Sequence, residues 1–221
     1  MKRVIILVSA LMLSATAVAQ NDRSDMWEFG LIINDMSSDL LISSDMGSGV
    51  DIDSDTGFGL SVAYNISNRF AVGADFIWSS PKYTAVLIPE IAPGVPGSPE
   101  VINHKMDLFT YTFTGTWNIL EGPFTPYLEA NYGWTNIDSR IADQPPITTC
   151  WWDPWWGYIC DTFVSTYSKT RTSYGGAAGL RWDSGNGWTL KASYGFLEID
   201  TSRATDKANM DVIRVDLAWL F

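Results

Sequence analysis

Phe58-Gly59-Leu60-Ser61-Val62-Ala63-Tyr64-Asn65-Ile66-Ser67-Asn68-Arg69-Phe70-Ala71-Val72-Gly73-Ala74-Asp75-Phe76-Ile77-Trp78 is the stretch that decides the fold. Before Ser67-Asn68-Arg69 the apolar side chains fall on Phe58, Leu60, Val62, Tyr64 and Ile66, and after it on Phe70, Val72, Ala74, Phe76 and Trp78. The positions between them are small or polar: Gly57, Gly59, Ser61, Ala63 and Asn65, then Ala71, Gly73 and Asp75. A period of two gives each strand one apolar face and one small, polar face, and a three-residue connection makes the two strands an antiparallel pair.

The same pattern recurs six more times. Trp27, Phe29, Leu31 and Ile33 alternate with Glu28, Gly30 and Asn34. Phe109, Tyr111, Phe113 and Trp117 alternate with threonines, and Leu128, Ala130, Tyr132 and Trp134 with Glu129, Asn131 and Gly133. Tyr174 to Trp182 places Gly175, Ala177, Gly179 and Arg181 behind its apolar column; Trp188 to Phe196 places Lys191, Ser193 and Gly195 there; Val215 to Phe221 alternates with Arg214 and Asp216. Eight segments of about 10 residues match the length and dyad period of transmembrane barrel strands. An open sheet in lipid would leave its edges unpaired, so the sheet must close. The expected fold is all-β, an eight-stranded antiparallel up-and-down transmembrane barrel.

Short turns join segments two to three, four to five (Glu121-Gly122-Pro123) and six to seven (Asp183 to Gly187), while the other connections are long. This alternation places the long loops outside and both termini in the periplasm. Aromatics give a second line of argument. Trp27, Tyr64, Phe70, Trp117, Trp182, Trp188, Trp219 and Phe221 fall at the short-turn ends, and Trp78, Phe109, Trp134 and Phe196 toward the other ends. Two girdles are what interfacial aromatics form, whereas a soluble β-sandwich would bury this face against a second sheet and need no rings of Trp.

The start of the chain agrees with export. Lys2 and Arg3 precede an apolar run from Val4 to Leu13 and the small-residue pattern Ala17-Val18-Ala19, the form of a secretory signal peptide. The run is too short to span a bilayer as a helix, which takes about 20 residues. The expected division is a leader over 1–19 and one barrel domain over 20–221, with no Cys after the cleavage position to accept a lipid. Without Lys2 and Arg3 there are 12 basic residues against 25 acidic ones, which argues against nucleic acid as a partner. Eleven Trp, 14% aromatics and a mean hydropathy of +0.01 fit one wet and one greasy surface.

This register turns Glu28, Asp75, Glu129 and Asp216 inward together with Arg181, Lys191 and Arg214. The interior of eight strands holds side chains or one small ligand, so these charges form either a gated polar constriction or a structural ion-pair plug, the plug being the favoured reading. Cys150 and Cys160 follow an export signal and lie ten positions apart, and are read as a disulfide. A metal site would need further soft ligands nearby, and the single histidine, His104, lies in another segment. Between the cysteines stand Trp151, Trp152, Trp155 and Trp156. They would either touch lipopolysaccharide, a hydrophobic solute or a partner surface, or pack on themselves over the barrel mouth. The Ser79 to Lys105 loop carries Pro89, Pro93, Pro96 and Pro99 with Gly94 and Gly97, and is read as exposed, irregular and unsuited to a long hairpin.

Asp55-Thr56-Gly57-Phe58-Gly59-Leu60, Phe124-Thr125-Pro126-Tyr127-Leu128 and Leu197-Glu198-Ile199-Asp200-Thr201 resemble the OmpW-type small outer-membrane barrels and, more loosely, the OmpA-like group. The resemblance extends over most of the chain after the leader. It implies a cell outer membrane location, contact with outer-membrane lipids, and a narrow, rather apolar route for small hydrophobic solutes. The terminal Phe221 resembles the signal read by the outer-membrane assembly machinery in this class. The chain departs from the family in the Cys-bridged Trp loop and in the ending Ala218-Trp219-Leu220-Phe221. Lipid-A-modifying barrel enzymes need a Ser, His and acid set. His104 has no such partners at a recognisable spacing, so neither an enzyme nor a cofactor is expected. Two functions follow: a barrel that binds or passes small hydrophobic molecules, or a structural or adhesive surface protein with a plugged lumen and a working Trp loop.

Overall fold

The computed structural model describes residues 22–38, 41–42, 49–88, 90–92, 95–201 and 207–221. The expected signal peptide over 1–19 lies outside the described residues. Eight strands form the wall: β1 Trp27–Ser38, β2 Asp55–Asn65, β3 Phe70–Ser79, β4 Asp107–Asn118, β5 Phe124–Ala142, β6 Thr166–Asp183, β7 Trp188–Ile199 and β8 Ala208–Leu220. Each pairs antiparallel with its neighbour in sequence, and β1 pairs with β8 to close the barrel. The Trp27 and Phe221 backbones exchange hydrogen bonds of 2.9 and 3.0 Å at that seam.

Burial follows the expected parity. In β1, Glu28, Gly30, Ile32, Asn34 and Met36 are buried while Trp27, Phe29, Leu31 and Ile33 are exposed. The apolar outer face therefore has no protein partner, which in water would be costly and in lipid is required. Ring pairs mark both margins of this face: Trp27 with Tyr64 at 5.2 Å, Phe70 with Trp117 at 6.4 Å and Trp188 with Trp219 at 4.7 Å at the short-turn end, and Trp78 with Phe109 at 5.1 Å and Tyr111 with Trp134 at 5.4 Å toward the other.

The long-loop end departs from expectation. The Ser79 to Lys105 connection does form a hairpin: Lys82–Leu87 pairs with Glu100–Lys105, and Gly49–Ile52 joins the same sheet. Pro96 and Pro99 lie outside these six rungs, where a missing N–H breaks no bond of this ladder. Strands β5 and β6 likewise continue to Ala142 and from Thr166, past the expected loop limits near Ile137 and Ser168. Above them Ile147–Asp153 and Gly157–Phe163 form a separate hairpin. Threonine-rich, β-branched sequence here favours strand whether or not lipid faces it, so periodicity alone does not mark where the membrane ends.

Candidate functional site

All seven expected lumen charges are buried inside the barrel, and parity explains their placement strand by strand. Toward the short-turn end, Glu28 of β1 takes Arg181 of β6 at 2.9 Å and Lys191 of β7 at 2.6 Å. One layer higher, Arg214 of β8 bonds Asp75 of β3 at 2.6 Å, Asp216 at 2.7 Å and Glu129 of β5 at 3.4 Å. The Thr116 hydroxyl donates to Glu129 at 3.4 Å. Glu28, Asp75 and Glu129 thus each meet a cation held by a different strand, which ties the walls together, while Asp216 steadies Arg214 from its own strand. A charge taken out of water at such depth is tolerable only when paired and hydrogen-bonded.

Two members of this network escaped the sequence reading. Asp183 stands two residues after Arg181, so parity turns it inward, although it also opens the turn run Asp183 to Gly187. It bonds Arg181 at 2.9 Å and accepts from Thr189 at 2.7 Å. Arg23 lies before β1, where no periodicity exists to read, and is 1% exposed. Its guanidinium bonds Asp183 at 2.9 Å and the Gly122 and Leu120 carbonyls at 3.1 and 3.3 Å, while its backbone N–H donates to Asn68 Oδ1 at 2.8 Å. One residue thereby joins all three short turns and covers that end of the lumen.

The other end is closed by apolar packing. Met36, Leu108, Leu197, Ile199 and Met210 of the wall bury against Ile52, Tyr83 and Ala85 of the extended sheet. Between the two closures lies a cavity of about 50 Å³, with Asn34, Thr112, Asn131 and Arg214 around its polar part and Met36, Leu197 and Val212 around its apolar part. Asn34 is 1% exposed, and its amide has no partner among the described residues. Such a space admits a few water-sized molecules, far less than the several hundred Å³ of ordinary ligand pockets.

At the rim, Lys207 bonds Glu198 at 2.7 Å and the Tyr174 hydroxyl at 2.5 Å. These bonds, the carboxylate first, hold the ammonium above its ordinary pKa. His104 is half-buried and stacks on Tyr83 at 6.1 Å. No group of metal-ligating side chains occurs among the described residues.

The cysteines sit directly opposite each other and are bonded, as expected. The turn above them is set by Asp153, whose carboxylate accepts the Trp155 and Trp156 N–H groups at 2.9 and 3.1 Å, and by Gly157 at φ 78°. Trp155 and Trp156 are 83% and 78% exposed, and Trp152 and Tyr158 are also exposed. Trp151 is the most covered of the four tryptophans and leans on Phe163 at 6.0 Å. The tip is therefore not a self-packed cap on the mouth. Phe221 lies on the outer face, stacked on Phe29 at 5.9 Å.

Residues 5–221 match the family model described as "Outer membrane protein beta-barrel domain". No curated protein matches the sequence. Among solved structures, the outer membrane protein OprG from Pseudomonas aeruginosa is 12% identical over 92% of this chain and 99% of its own, with a TM-score of 0.58. Neisserial surface protein A is 13% identical over 90% of this chain and 98% of its own, with a TM-score of 0.49. The OprG overlay shows a shared fold.

Proposed function

Because this chain belongs to the outer membrane protein beta-barrel domain family, and is thus an integral outer-membrane barrel, we propose that it is a non-conducting, non-enzymatic anchor that presents the Cys150 to Cys160 hairpin for surface recognition. In this reading the long-loop end faces outward, both termini lie in the periplasm, and Phe221 is the signal for the assembly machinery. The observation that carries it is the exposure of Trp155 and Trp156 at the end of a stapled hairpin. Burying aromatic rings is a large favourable term in association, and tryptophans are typical binding hot spots. No Lys or Arg occurs between 141 and 165, whereas Asp143, Asp153 and Asp161 do, so the favoured partner is uncharged or basic and presents apolar surface.

Cells displaying the protein are tested for adhesion to immobilised neutral glycans and matrix proteins. Trp155→Ser with Trp156→Ser, and deletion of 150–160, should abolish adhesion while the barrel still folds, as judged by heat-modifiable mobility. Equal adhesion by all three forms contradicts the reading. A second reading, binding or passage of small hydrophobic solutes, is favoured by the apolar side of the central cavity. It requires both closures to move, and a solute-uptake defect on deletion of the protein would support it.

A further inference from the structure

Strands β3 and β4 continue beyond the barrel without a slip in register. The pairing that sets Trp78 opposite Phe109 runs through Ser79 and Leu108 to Lys82 and Lys105, and on to Leu87 and Glu100. Across the short gap the Met106 N–H donates to the Pro81 carbonyl at 3.0 Å. Side chains on an unbroken ladder point the same way at every second rung. The lipid-facing column therefore climbs from Phe76 and Tyr111, through Trp78 and Phe109, then Ser80 and Asp107, to Lys82 and Lys105. Four rungs above the aromatic pair is at most about 13 Å along the strand, and less in height once the tilt is counted. That is the level of headgroups.

Two lysines directly opposite each other in an antiparallel pair repel. Both are exposed, and neither is in an ion pair among the described residues. Arg140 adds a third cation. It stands two positions beyond the last β4–β5 pair, Asp107 with Asp138, and so is level with Lys105. Asp107 holds its guanidinium from below at 2.5 and 2.7 Å, and its backbone takes the left-handed φ of 53°. Such a conformation in a non-glycine residue persists where surrounding contacts enforce it. Where β4's extension parts from β5 a groove of about 560 Å³ opens, lined by Lys82, His104, Lys105 and Arg140, with Asp53 its only acid. With Arg140 held by Asp107, Lys82 and Lys105 are the two cations of this rung left without an ion pair among the described residues, in a chain of net charge −11.

We propose that the Lys82, Lys105 and Arg140 rung binds lipid-borne phosphate, the monoester or diphosphate of an outer-leaflet glycolipid. The two ammonium groups meet the phosphate as point charges, and the anion relieves their mutual repulsion. The lipid's acyl chains lie down the same column against Trp78 and Phe109. Only the headgroup height is needed, so the inference does not depend on what the Trp hairpin binds; it does rest on the long-loop end facing the glycolipid leaflet.

Binding is measured on the full chain folded in zwitterionic micelles, where orientation plays no part. The probes are bisphosphorylated lipid A, its dephosphorylated counterpart and inorganic pyrophosphate. The wild-type protein should prefer bisphosphorylated over dephosphorylated lipid A by about tenfold or more. Lys82→Gln with Lys105→Gln should erase that preference, whereas Lys82→Arg with Lys105→Arg, and Lys169→Gln on β6, should keep it. Equal affinity for the two lipids, or a preference that survives the double glutamine change, overturns the proposal. Pyrophosphate binding as tightly as lipid A overturns the assignment to a lipid. Should all these arms come out as expected while surface labelling places the long loops in the periplasm, the orientation alone would be wrong.

Discussion

The lumen is closed at its two ends by opposite chemistry. Toward the short turns, Arg23, Glu28, Arg181, Asp183, Lys191 and the Arg214 cluster hold the walls by a network of ion pairs, most of them between strands. Toward the long loops, Met36, Leu197, Ile199 and Met210 meet Ile52, Tyr83 and Ala85 as an ordinary apolar core. An ion pair fails abruptly, because the surviving partner is left buried and unpaired. An apolar core loses stability in proportion to the volume removed. The polar closure should therefore tolerate substitution far less well than the apolar one.

The largest effect is expected at Arg214. Arg214→Leu leaves Asp75, Glu129 and Asp216 facing one another, and should cost about 3–5 kcal/mol in urea unfolding followed by Trp fluorescence. A loss no greater than that of an ordinary surface change would erase the distinction between the two ends. Arg23→Ala, which strips side-chain hydrogen bonds from the Leu120–Gly122 and Asp183 turns while Asp183 keeps Arg181, should cost about 1–3 kcal/mol, with faster amide exchange in those two turns and not in the Asn68 turn, which the Arg23 backbone N–H still holds. Ile199→Val at the apolar end should cost about 0.5–1.5 kcal/mol. Smallest of all, Cys150→Ser with Cys160→Ser should change barrel stability by no more than about 0.5 kcal/mol, while exposing the tryptophan hairpin to chymotrypsin. A large loss of barrel stability in that variant would mean the hairpin helps to hold the lumen shut.

The two closures also differ in how far the sequence discloses them. Alternation located Glu28, Asp75, Glu129, Arg181, Lys191, Arg214 and Asp216 because a one-residue slip would have turned each of them into lipid. Asp183 obeyed the same rule, but the turn beside it hid the pattern. Arg23 obeys none: its role arises from three turns far apart in sequence meeting at one point. The apolar closure was invisible for a different reason. Met36, Leu108 and Leu197 occupy inward positions where polar residues prevail lower in the barrel, and their partners Ile52, Tyr83 and Ala85 come from a connection whose prolines argued against pairing. Prolines at the far end of a hairpin do not prevent the near end from forming. For the Trp hairpin the sequence supplied the disulfide and the ring cluster, and left exposure or self-packing open. Asp153 fixes the turn that carries Trp155 and Trp156, and both rings are exposed.

Single-channel recording in planar bilayers tests the central claim, a lumen shut at both ends, most directly. The wild-type barrel should give no stable open-channel current, since eight strands leave room for little beyond their own side chains and these are locked by ion pairs below and apolar packing above. A steady ohmic conductance from the folded wild-type protein, unchanged on deletion of 150–160, would contradict the account and return the function to the lumen.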